Sequence, residues 1–105
     1  MTGNNTASTW TVADYVLNVI ADTYESWFMI LKEVRRMSKE DGVTVRRSEI
    51  LNALDRIVTT GMARAYVLSS TQPYATIVDW NRDRVRELYY YVTPEGAHLV
   101  RGRLS

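Results

Sequence analysis

Two phrases, about thirty residues apart, constrain this chain more than anything else in it. The first, Ser48 to Gly61, places Ile50, Leu51, Leu54, Ile57 and Val58 within an arc of about 120° when each residue advances about 100°. It stops on a glycine, the residue most at ease in the left-handed conformation that closes a helix. The second phrase is Glu87-Leu-Tyr-Tyr-Tyr-Val-Thr-Pro-Glu-Gly-Ala-His98, an aromatic and β-branched run that reads as a strand. Thr93 then caps a last helix, expected to run to about Arg103, and Pro94 suits its first turn because its φ is fixed and its missing N–H is not needed there. One amphipathic helix and one strand delivered straight into another helix require a shared core.

At 105 residues the chain fits a single domain, expected over residues 10–105 behind a flexible polar tail of residues 1–9. It has no cysteine and only one histidine, His98, so a disulfide framework and a thiolate or histidine-rich metal site are excluded. No carboxylate cluster suggests a metal, no cofactor motif is present, and no nucleophile–base constellation supports an enzyme. The apolar runs Tyr15–Ala21 and Trp27–Leu31 fall far short of the ~20 residues of a membrane span. The first nine residues lack the basic-then-apolar pattern of a signal peptide, so the reading is a cytoplasmic protein with no membrane partner.

The net charge of +1 argues against a strong, nonspecific polyanion binder. Its distribution is uneven. Residues 1–60 hold seven Lys/Arg against eight Asp/Glu, and residues 61–105 hold six Arg against four Asp/Glu. Every base in the second part is arginine, the better ligand for phosphate and guanine.

Thr11 and Asp14 form a capping box ahead of Val12, Tyr15, Val16, Val19 and Ile20 at helical spacing. Asp22 and Glu25 offer a second cap pair, and the stripe resumes with Trp27, Ile30, Leu31, Val34 and Met37. It keeps phase across the join, so the residues admit either two helices broken near Asp22 or one long helix. Ser38 to Gly42 is a charged turn with a terminating glycine. A third helix then starts near Thr44 or Ser48. Met62 to Ser69 alternates as a strand, with Ala65, Val67 and Ser69 on one face and Arg64, Tyr66 and Leu68 on the other. Residues 70–73 are turn chemistry, Tyr74 to Trp80 can pair as a short extra strand, residues 81–84 form a polar turn, and Arg86 to Val92 is a strand.

The order helix, helix, turn, helix, strand, loop, strand, together with Tyr90-Tyr-Val-Thr-Pro-Glu-Gly96, resembles the winged helix-turn-helix of small PadR-like and MarR-like bacterial regulators. The resemblance covers roughly residues 11–104 and is carried most specifically by the Thr-Pro-Glu-Gly phrase. It implies an α+β fold, mainly α with a small antiparallel β-hairpin, with the first two helices separate. It also implies duplex DNA binding by a homodimeric transcriptional regulator, with the helix over 44–60 in the major groove and a wing over 70–86 on the backbone.

The exposed face of that helix carries groups suited to the task. Asn52 matches adenine and Arg56 matches guanine, each in bidentate fashion. Thr44 and Ser48 suit phosphate at a helix N-terminus, and Arg46 and Arg47 flank it. On an extended chain Arg82, Arg84 and Arg86 share one side of the wing. Glu49 and Asp55 sit on or beside the same helix face, and Asp79, Asp83 and Glu87 dilute the wing. These acids favour a second function class, a winged-helix protein–protein interaction module. Trp10, Trp27 and Trp80 read as core or dimer contacts, Tyr89–Tyr91 as a strand with Tyr90 facing opposite to its neighbours, and His98 as a surface or packed residue rather than a catalyst. A small-molecule effector, if there is one, has only the aromatic set Trp10, Tyr15, Trp27 and Phe28 to line its site.

Overall fold

The first helix begins where local chemistry dictates. The Asp14 amide donates to Thr11 Oγ1 at 3.2 Å and the Thr11 amide donates to Asp14 Oδ2 at 2.8 Å, a reciprocal cap that stabilises by about 1 kcal/mol. The structure is a computed structural model that describes residues 10–104; the tail expected over residues 1–9 lies outside the described residues. From this cap the chain runs α1 (Val12–Val19), β1 (Glu25–Ser26), α2 (Trp27–Glu40), α3 (Arg47–Thr59), β2 (Ala63–Leu68), β3 (Ala75–Val78), a 3-10 segment (Arg82–Glu87), β4 (Tyr89–Val92) and α4 (Pro94–Leu104).

The apolar stripe stays in phase across Asp22, yet the chain breaks there into two helices. Ser26, not the Asp22–Glu25 pair, caps the second: Ser26 Oγ accepts from the Met29 amide at 3.2 Å. Glu25 and Ser26 pair with Tyr90 and Tyr89 as a strand that two residues give no periodicity to reveal. Gly42 ends the turn after α2 at φ +75°. Helix α3 starts at Arg47, between the two expected caps Thr44 and Ser48, because Glu49 accepts from the Arg46 amide at 2.8 Å. It closes on Gly61 at φ +84°, and the Met62 amide reaches back to the Ile57 carbonyl at 2.9 Å.

The fold is mixed α+β, and the expected hairpin is in fact a four-stranded antiparallel sheet in the order β1-β4-β2-β3. Ala65 faces Tyr90 on one side and Val78 on the other, so the alternation read from β2 holds. Residues 86–88 do not form the expected start of β4. Asn81 Oδ1 accepts from the Asp83 amide at 3.0 Å and opens a 3-10 turn, and Val85 and Leu88 are buried beneath it. Burying these two apolar side chains, at roughly 1.5–3 kcal/mol each, outweighs the extended preference of the run.

One face of the sheet packs on the helices through Ala63, Ala65, Tyr90 and Val92, and Trp27, Ile30, Val34, Ile50 and Leu54 lie in the same core. Trp27 is fully buried, and its indole N–H has no partner among the described residues. Trp10 and Trp80 are half-buried against the core, Trp10 beside Tyr15 and Trp80 beside Tyr90. On the opposite face of the sheet Tyr24 sits between Tyr66 and Tyr91, with ring centroids 4.9 and 5.1 Å away. Among the described residues no helix is long and apolar enough to cross a membrane.

The two phrases that opened the sequence meet here. Thr93 Oγ1 donates to the Gly61 carbonyl at 2.7 Å, and the Thr93 amide donates to the Met62 carbonyl at 3.0 Å. The Gly96 amide donates to the same Thr93 hydroxyl at 3.2 Å. Helix α4 therefore starts against the end of α3.

Two buried phenols give the fold an alkaline limit. Desolvation, with a 2.6 Å hydrogen bond from Tyr15 Oη to Asp41, pushes the Tyr15 pKa up to about 12, and burial raises that of Tyr90 further. A phenol in the unfolded chain ionises near 10. The folded state therefore holds more protons above that pH, and stability is full below about pH 10 and falls as pH rises towards 12. Absorbance at 295 nm across pH 9–13 is expected to show two of the seven tyrosines titrating only as the circular dichroism is lost.

Candidate nucleic-acid interface

Helix α3 buries Ile50, Leu54 and Ile57 and turns Ser48, Glu49, Asn52, Arg56 and Thr59 outwards. Within the helix the expected phase is the phase observed; Val45, which the same phase sets on the exposed face, lies before the helix start and is buried. Arg46 and Arg47 are exposed at its start, with Arg47 lying 5.8 Å from the centroid of the Trp27 ring. That stacking anchors the stem of Arg47 while leaving its guanidinium edge to solvent. Thr44 is exposed in the linker before the helix, where the buried Val45 pins the chain. A groove of about 330 Å³ runs between the start of α1 and the outer face of α3, lined by Thr11–Ala13, Glu49, Asn52, Ala53 and Arg56.

The acids on this face are already engaged. Glu49 caps its own helix. Asp55 accepts from Trp80 Nε1 at 2.6 Å and from Arg82 Nη1 at 3.2 Å. The other Arg82 nitrogen donates to Asn52 Oδ1 at 2.6 Å. An amide oxygen carries two lone pairs, so Asn52 keeps one acceptor position and both of its donors. This network ties the root of the β3–β4 connection to α3 across separations of 25 to 30 residues, where no local pattern announces it.

The three wing arginines do not share one side of an extended chain. They lie on the 3-10 segment, where successive side chains turn by about a third of a circle. Arg82 is drawn to α3, Arg84 pairs with Glu87 at 3.1 Å, and Arg86 is exposed. Nor are these residues at the tip of the β2–β3 hairpin. The tip is residues 69–74, and from Ala65 to Val78 the sequence has no charged residue.

Cations that the sequence reading passed over lie on α2. Lys32, Arg35 and Lys39 are exposed and follow Phe28 at spacings that keep all four on one flank of the helix. Among the described residues none of Lys32, Arg35, Lys39, Arg46, Arg47, Arg56 and Arg86 forms an ion pair, whereas Arg36 is held between Glu33 and Glu40. The signal was available in that spacing, with Glu33 and Glu40 both on the other flank. No group of histidines and carboxylates among the described residues is placed to hold a metal ion.

The arrangement offers a helix edge with a free guanidinium and a partly free amide, flanked by further cations. That is chemistry for base edges and phosphates. No protein-family model, no curated protein and no solved structure matches the chain.

Proposed function

We propose that this chain is a winged helix-turn-helix that binds duplex DNA as a homodimeric transcriptional regulator. The observation that carries the reading is the exposed face of α3. Its phase leaves Ser48, Asn52 and Arg56 outward, Asp55 is paired with Arg82 while Glu49 is engaged as the helix cap, and Arg46, Arg47 and Arg56 have no carboxylate of their own among the described residues. The connectivity supports it, since β1 joins β4 and β4 joins β2 behind a helix pair that presents α3. In this reading Arg56 and Asn52 face base edges in the major groove. Thr44, Arg46, Arg47 and Ser48 contact phosphates at the N-terminal end of α3, and Lys32, Arg35 and Lys39 extend the backbone contacts along α2.

The test is retention on duplex DNA across a salt gradient, followed by affinity for duplexes selected from a random-sequence pool. Arg56→Ala is expected to weaken binding to the selected site by about 1–3 kcal/mol with little change in melting temperature. Arg35→Ala is expected to weaken binding to all sequences alike and to flatten the salt dependence by about one unit of slope. A protein that leaves DNA-cellulose at low salt and shifts no duplex does not have this function.

The outer part of the β2–β3 hairpin, Ala65 to Val78, has no charged residue and favours the second reading, a winged-helix protein-interaction module, because a wing that rests on phosphates needs cations at its tip. Loss of DNA binding together with capture of a defined protein through that hairpin would select it.

A further inference from the structure

Strand β3 is an edge of the sheet, with β2 on one side and nothing among the described residues on the other. Edge strands in monomeric proteins are usually blunted by a charge, a proline or a bulge. Ala75-Thr-Ile-Val78 has none of these within it, and its register with β2 runs unbroken from Ala65↔Val78 to Leu68↔Ala75. The hairpin also exposes apolar side chains that the core does not use: Tyr74 is 59% and Ile77 is 55% exposed, with Val67 and Leu68 beside them.

The ladder fixes what the free edge presents. The Ser69 amide donates to the Tyr74 carbonyl at 2.8 Å, which makes 69 and 74 a hydrogen-bonded pair. Antiparallel pairs alternate, so Thr76 and Val78 also turn their backbone groups towards β2, while Ala75 and Ile77 turn theirs to the open side.

We propose that this edge is a homodimer contact, in which β3 of one copy pairs antiparallel with β3 of a second about a two-fold axis at Thr76. This axis, normal to the sheet, opposes Thr76 to Thr76, Ala75 to Ile77 and Tyr74 to Val78 of the second copy. Ala75 and Ile77, whose amides and carbonyls already point outwards, become the hydrogen-bonded pairs. Side chains of the same face meet, small against large on one face and aromatic against β-branched on the other, which are favourable cross-strand pairings. The patch carries no charge, so pairing it with its own copy sets no like charges against one another. The same lack of charge leaves a nucleic-acid phosphate without a partner here. The contact locates the dimer of the proposed function but stands without DNA.

The test runs on the full chain in the absence of DNA. The chain has no cysteine, so a disulfide in Thr76→Cys can form only between copies. Opposed residues in a non-hydrogen-bonded pair lie about 4.5 Å apart at Cα, within disulfide reach. Mild oxidation is expected to convert Thr76→Cys to a covalent dimer, while Glu40→Cys, on exposed α2, stays largely monomeric. Sedimentation equilibrium is expected to show a wild-type dimer and a dissociation constant at least about tenfold weaker for Ile77→Lys. The Ile77→Lys monomer is expected to keep the wild-type circular dichroism, since the side chain is exposed, and to melt with the wild-type chain diluted below its dimer dissociation constant. A wild-type chain that is monomeric at about 1 mM overturns the proposal. So does a dimer that survives Ile77→Lys and is not trapped by Thr76→Cys. Either result leaves DNA binding, read separately by the salt gradient, untouched.

Discussion

Leu54→Ala is expected to destabilise the protein by about 2–5 kcal/mol, the range for a large-to-small change that leaves a cavity in a packed core. Leu54 is fully buried at the centre of the inward stripe of α3, with Ile50 one turn before it and Ile57 one turn after. Helix α3 packs against α1, α2 and β2, and a void there has walls on every side. In a domain of this size 1 kcal/mol corresponds to roughly 4–8 °C in Tm, so a fall of at least about 8 °C is expected by calorimetry. The control is Arg56→Ala on the opposite face, expected within about 0.5 kcal/mol of wild type. Equal melting temperatures for the two variants would mean that α3 is rotated from the phase described.

Gly96→Ala is the second large effect, and its cause is steric. A Cβ at position 96 would clash with the Met62 carbonyl oxygen, with the Met62 carbonyl carbon 3.0 Å and Leu17 Cδ2 3.4 Å away. The obstacle is backbone, so no side-chain rotamer relieves it. Either α4 moves off the end of α3 or the Met62 peptide turns. The Met62 carbonyl accepts from the Thr93 amide, and the Thr93 hydroxyl bonds Gly61 and caps Gly96, so each movement breaks part of that set. Overpacking typically costs 1–3 kcal/mol, and a rigid neighbour on this side places the expected loss at about 3 kcal/mol. Gly102→Ala, whose added Cβ meets no atom of the described residues outside its own helix within 4 Å, is expected to be neutral or slightly stabilising. Chemical denaturation of the two variants checks the contrast; similar midpoints would show that the junction yields.

The features legible in the sequence share a physical character: each is local. The Thr11–Asp14 cap, the stripe of α3, the left-handed Gly61, the alternation of β2 and the Thr93 cap involve residues within a few positions of one another. The features that were missed are set by partners far along the chain. Glu25–Ser26 is a strand only because Tyr90 and Tyr89 lie beside it. The run at 86–88 has the composition of a strand, but the burial of Val85 and Leu88 folds it into a turn. Arg82 was grouped with Arg84 and Arg86 by spacing, whereas Asp55 and Asn52 on α3 decide where it points. The candidate interface was legible to the same extent. Arg56 and Ser48 emerge on the exposed face because helical phase is periodic. The tip of the β2–β3 hairpin holds no cation because the turn falls at residues 69–74, where the sequence has none, and the arginines of 82–86 lie on the later 3-10 segment.

The junction of Gly61 and Met62 with Thr93 and Gly96 has a topological consequence. The chain from Ala63 to Val92 starts and ends at this junction, whose partners Gly61 and Thr93 lie 32 positions apart and within 2.7 Å of each other. Its later part is tied back to α3 through Trp80 and Arg82 and to β1 through β4, whereas the outer turn is held only by its own hairpin. Doubling a flexible closed loop adds only about 0.6 kcal/mol of closure entropy. The turn at 69–74 can thus lengthen or shorten while α3 and α4 keep their mutual position, which makes the hairpin the segment whose dimensions can vary most cheaply around a fixed helical frame.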